Sequence, residues 1–219
     1  TGHNTAGENS ELFSLYNRNA EKFLFYGTMM DGGANAFTMK WDGAYGYANV
    51  IGGYRENEWV HLVFAVDKVD TQSRISAYVN GSAVEVDQGG DWTDSLMSLM
   101  GVDTFTIGGK NPYKGGATPN CLFYGLVDEI RIYDGALNPA EARIVYQEGL
   151  ETPDGVDPGE VKLPKMPEGL LASYDFNDGT LNDSVNGRNA TLYNNTSVAS
   201  AKYAKGIRGN ALRLSTKGT

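Results

Sequence analysis

One cysteine, two histidines and no long apolar run set the limits of this 219-residue sequence. With Cys121 alone no disulfide can form within the chain, so stability rests on packing. No stretch approaches the ~20 apolar residues that cross a bilayer as a helix, and no membrane insertion is expected. Positive charge is also scarce: 18 Lys and Arg stand against 27 Asp and Glu, a formal net charge of −9. Nucleic acids and anionic membranes attract proteins through clustered cations that displace counterions, so neither is expected as a partner. Thr1 opens no signal-peptide pattern, so a secreted origin would require prior processing.

Catalytic spacings are missing too. No H-x-x-H or H-E-x-x-H pair offers zinc two ligands, no G-x-S-x-G elbow presents a serine, and no glycine loop followed by a helix cradles phosphate. A retaining glycan hydrolase on a β-sheet needs carboxylates ~5 Å apart on one face, hence at alternate positions, and E-x-D-x-E does not occur. The chain is therefore read as a non-enzyme.

What is abundant is glycine (28), tyrosine (13) and apolar residues (41%), enough for many turns around a substantial core. In EWVHLVFAVD, Val60, Leu62, Phe64 and Val66 share one face, and Trp59, His61, Val63 and Ala65 the other. Both faces read as covered, which predicts an inner strand with Trp59 packed at its start. SRISAYVNGSAVEV continues the alternation, with Asn80-Gly81 as a two-residue hairpin turn. Further short strands are predicted at ELFSLYN, KFLFYGT, AFTMKW, YGYANVI, TFTIGG and CLFYGLV, where Cys121 is a small buried hydrophobe.

GLVDEIRIYDGALNPAEARIVYQEG predicts a strand, a break and one helix. Asn138 caps, Pro139 takes the first helical position, Glu141 reaches back as in a capping box, and Gly149 stops the helix. Within the strand, Asp128 and Glu129 project to opposite faces. Asp128 falls among Leu126, Ile130 and Ile132, where a carboxylate is costly unless hydrogen-bond donors or a cation satisfy it. Glu129 and Arg131 read as a solvated same-face pair. Residues 151–168, with four prolines and several acids, form an extended linker that spans roughly 60 Å at full stretch. Strand patterning resumes in 169–219.

Together these pieces resemble the laminin-G-like, concanavalin A-like lectin/glucanase jelly-roll family. EWVHLVFAVDKVDTQSRISAYVNG, TFTIGGKNPY and FYGLVDEIRIYDGALNPAEARIVYQEG carry the likeness over about residues 8–149. GLLASYDFNDGTLNDSVNGRNATLYNN and KGIRGNALRLS resemble the opening strands of the same domain type. Residues 1–150 thus look like a domain without its first strands, and 169–219 like first strands without the rest. Either the tail completes the first part, as in a circular permutation, or it starts a second repeat.

The resemblance implies an all-β, two-sheet antiparallel jelly-roll sandwich with one short C-terminal helix. It also implies a structural calcium near the opening loop. Asp128 and Asp183 are the candidate ligands, Asp183 lying in the oxygen-rich stretch Asn182 to Gly187. They meet only if the tail completes the first part. Sugar recognition needs an aromatic platform beside hydrogen-bonding groups. Trp41 and Tyr45, Trp92, and Tyr113 offer that mixture in three candidate rim loops. The expected function is non-catalytic recognition of carbohydrate or an extracellular protein by a module of a secreted or cell-surface protein. The alternative is a structural spacer repeat.

Overall fold

The computed structural model describes residues 10–17, 22–30, 36–41, 46–50, 58–69, 72–90, 104–108, 123–150, 165–194 and 197–214. These form a β-sandwich closed by one helix. Its largest sheet contains β1 (Ser10–Asn17), β2 (Lys22–Met30), β3 (Ala36–Trp41), β4 (Gly46–Val50), β8 (Val86–Gly89) and β9 (Thr104–Ile107). They lie in the order β8-β4-β3-β2-β1-β9, every neighbouring pair antiparallel. Alternation decides what each strand buries. Phe37, Met39, Ala48 and Val50 point inward and are at most 5% exposed.

Against that sheet lies a second layer. β5 (Leu62–Val69), β6 (Gln72–Val79) and β7 (Ser82–Val84) form consecutive hairpins. Asn80 and Gly81, at φ +49° and +73°, make the tight turn that the sequence predicts between β6 and β7. Ile75 and Ala77 join the core on one face of β6, while Tyr78 packs with Ala65 and Ala142 of the helix on the other. This sheet is covered on both sides, as its double alternation requires. Trp59 departs from expectation. β5 begins only at Leu62, and Trp59, ahead of the ladder, is 41% exposed rather than packed.

The helix α1 (Pro139–Leu150) is held as its capping signals dictate. Asn138 Oδ1 accepts from the N–H groups of Ala140 (2.9 Å) and Glu141 (3.0 Å), and Glu141 Oε2 accepts from Asn138 N–H (2.8 Å). Tyr78 Oη donates to the Leu137 carbonyl at 3.1 Å, tying the helix entrance to β6.

The predicted continuous strand over 125–133 is divided. β10 (Gly125–Val127) and β11 (Ile130–Tyr133) flank Asp128 and Glu129, and Glu129 adopts φ +52°. A left-handed residue turns the chain out of its ladder, and each half finds a different partner. β10 pairs with β16 (Asn210–Leu214), itself beside β15 (Tyr203–Lys205); β11 pairs with β12 (Leu170–Tyr174). A short hairpin, β13 (Tyr193–Asn194) and β14 (Ser197–Val198), lies between β12 and β15 in the chain. Phe176 and Leu212 are buried in the same cluster as Phe37, Val50, Ala77, Phe123 and Val127. Tail and body thus share one core.

Candidate functional site

On the outer face of the largest sheet, strand register builds a polar surface. Tyr47 and Asn49 lie opposite the inward Ala48 and Val50 of β4. Tyr47 stands beside Gly89 of the edge strand β8 and beside Lys40 of β3. A Cβ on Gly89 would come within 2.4 Å of the Tyr47 ring, so the ring lies against bare backbone and remains 39% exposed. In the next row, Thr38 Oγ1 donates to Asn49 Oδ1 at 2.8 Å, and Asp87 stands exposed on the far side of Asn49. Farther across, the hydroxyls of Ser14 and Thr106 bond to each other. Ser14 and Thr38 are at most 1% exposed, so this face buries polar groups by pairing them across strands.

Sequence reasoning missed Tyr47, although its signal lay in YGYANVI. A tyrosine and an asparagine alternate there with Ala48 and Val50. Of the aromatic residues it singled out, Trp41 ends β3 and pairs with Gly46 of β4. Tyr45, Trp92, Tyr113 and Cys121 lie outside the described residues.

Asp128 and Asp183, the expected calcium ligands, are each met by backbone donors. Asp183 Oδ1 accepts from Ser173 N–H (2.9 Å) and Val185 N–H (3.0 Å), and Oδ2 from Asn186 N–H (3.1 Å) and Arg188 N–H (3.0 Å). Burial raises its pKa, yet these four N–H groups outweigh burial and bring it down to about 2. A carboxylate has about four acceptor positions, and all four are engaged. Asp128 accepts from Glu129 N–H at 2.9 Å and, 79 residues away, from Ile207 N–H at 3.0 Å. Its burial dominates over those donors and pushes its pKa up to about 6. Backbone N–H groups thus satisfy both carboxylates from within the fold. Among the described residues, no three His, Cys, Asp or Glu come together as metal ligands.

The pair Glu129 and Arg131 belongs to a larger assembly and is not solvated. Arg131 Nη2 reaches Glu129 Oε2 (2.8 Å) and Glu148 Oε2 (2.6 Å), and Arg208 Nη1 reaches Glu148 Oε1 (2.7 Å). The side chains of Glu129, Arg131 and Glu148 are only 12–13% exposed, because the break before β11, the end of α1 and the tail converge on them. Burial raises the Glu129 pKa. At Glu148 burial acts in the same direction, but Arg131 and Arg208 overcome it and lower the value. The two carboxylates meet on one guanidinium, below a depression of about 270 Å³ also lined by Ser173, Asp175 and Asn177.

Comparison with family models places residues 3–143 within the model described as the concanavalin A-like lectin/glucanases superfamily, a laminin-G type. Comparison with curated proteins and with solved structures gave no match.

Proposed function

Since the chain belongs to the concanavalin A-like lectin/glucanase superfamily, we propose that it is a non-catalytic recognition module that binds carbohydrate on the outer face of its six-stranded sheet. The observation that carries this reading is the Tyr47 ring, whose Cζ, Oη and Cε1 atoms stand over Gly89 while the residue stays 39% exposed. A pyranose presents C–H groups on its faces and hydroxyls around its rim, so it needs a flat aromatic surface flanked by amide and carboxylate groups. Asn49 and Asp87 stand in the adjacent row to supply them. The ionic assembly around Arg131 supports a non-catalytic reading, since its carboxylates are bridged by a cation and do not face each other across a gap that a sugar would enter. The natural setting of such a module is an extracellular or cell-surface protein.

A glycan array tests the reading. Native protein is expected to give reproducible binding, and Tyr47→Ala to lose at least tenfold in affinity while its melting temperature changes little, the residue lying outside the core. A blank array with folded protein overturns the proposal and favours a structural spacer. Binding untouched by Tyr47→Ala removes this face as the site.

A further inference from the structure

We propose that the edge of β10 and β11 on which β16 and β12 pair, with the end of α1, is a strand-accepting site that takes residues 169–214 from a second copy of the chain as well as from its own. Four features recognise the donor. Its β12 and β16 complete antiparallel ladders with β11 and β10. Its Phe176 and Leu212 fill the core against Phe123 and Val127. Asp128 reads the turn before β16 by accepting from Ile207 N–H, and Gly206 leaves room for it, since a Cβ there would stand 2.3 Å from Asp128 Oδ2. Arg208 then reaches the Glu148 side chain at 2.7 Å and the Glu148 carbonyl at 3.4 Å.

These hydrogen bonds and ion pairs join groups 60 and 79 positions apart and owe nothing to the covalent connection. The same surfaces meet with the same geometry when the donor comes from elsewhere. Without a donor, β10 and β11 would present bare edges and the core residues Phe123 and Val127 would lose their cover, a state that captures any matching strand. The segment between α1 and β12 therefore acts as a tether. Covalent linkage holds a chain's own tail near its own acceptor, so self-occupancy prevails in dilute solution and exchange between copies grows with protein concentration. An unrelated strand could satisfy the ladders but not the Gly206 to Gly209 turn or the Arg208 contact. A second copy is the partner that carries both.

The test uses the full chain with a specific protease sequence inserted after Gly155. After cleavage the two pieces are expected to co-elute as a one-to-one complex. Two cleaved preparations are then mixed, one with an affinity tag on the tail and one isotopically heavy throughout, and passed through urea and back. Heavy body is expected on the tagged tail in roughly the statistical share, and Arg208→Glu in the tagged tail should cut that share severalfold. Pieces that separate in native buffer overturn the proposal. So does the absence of heavy body on the tagged tail, whether the pieces stay locked together or fail to reassemble while the uncut chain refolds.

Discussion

Asp183→Asn should be among the most damaging single-atom exchanges available in this protein. The native carboxylate is 6% exposed and receives four backbone N–H groups, from Ser173, Val185, Asn186 and Arg188. The amide keeps one oxygen for two of them and turns an NH2 group towards the other two. A buried donor left unpaired costs about 1–3 kcal/mol. Some of these N–H groups belong to exposed residues and can turn to water, so about 3 kcal/mol in total is expected, roughly a 6–12 °C fall in Tm for a chain of this size. The pH dependence gives an independent figure. The folded pKa, about 2, lies below the usual aspartate value of 3.8, so this group contributes stability that is complete above about pH 4 and is lost as pH falls through 2. That shift corresponds to about 2 kcal/mol. Urea unfolding of native protein and variant between pH 6 and pH 2 measures both quantities. A variant within 1 kcal/mol of native at pH 6, or an equal acid loss in both proteins, refutes the reasoning. A chelator that lowers the Tm of the native protein but not of the variant would show that the carboxylate holds a metal instead.

Other perturbations follow from the same contacts. Asn138→Ala removes the acceptor for Ala140 and Glu141 N–H and should cost about 1 kcal/mol in thermal unfolding. Gly89→Val should lift the Tyr47 ring off the sheet and abolish glycan-array binding while circular dichroism stays native. Burial, with the nearby Arg131 charge, lowers the His61 pKa to about 4, so as pH falls from 6.5 towards 4 the unfolded chain takes up a proton that the folded chain does not, and stability falls. Asp128 works in the opposite sense over nearly the same range, because a raised carboxyl pKa makes acid favour the folded state. His61→Gln should therefore expose a gain in urea stability between pH 6 and pH 4 that the native protein masks.

The parts of the fold that alternation and capping specify were legible in the chain. β5 read as doubly covered because both of its faces are apolar, and α1 read from Asn138, Pro139 and Glu141 because a helix terminus is satisfied locally. The division at Asp128 and Glu129 was not legible. Nothing in the local pattern favours a left-handed glutamate; a buried guanidinium and partners more than 70 residues away hold it there. Asp128 reads as a misplaced charge until the Ile207 amide is beside it. For the same reason Glu129 and Arg131 read as a surface pair, since Glu148 and Arg208 reach them only through the fold. Tyr47 lay within the sequence pattern, but its value depends on Gly89 being its neighbour, a matter of register between strands about 40 residues apart.

The position of β6 between the large sheet and the helix has a consequence for mutational tolerance. Strands at a protein surface accept changes at every second residue. Here Ile75 and Ala77 face one packed layer and Tyr78 the other, so a deep mutational scan should find that rhythm missing between Ile75 and Tyr78. The amides of those residues should also be among the last to surrender their hydrogens to heavy water.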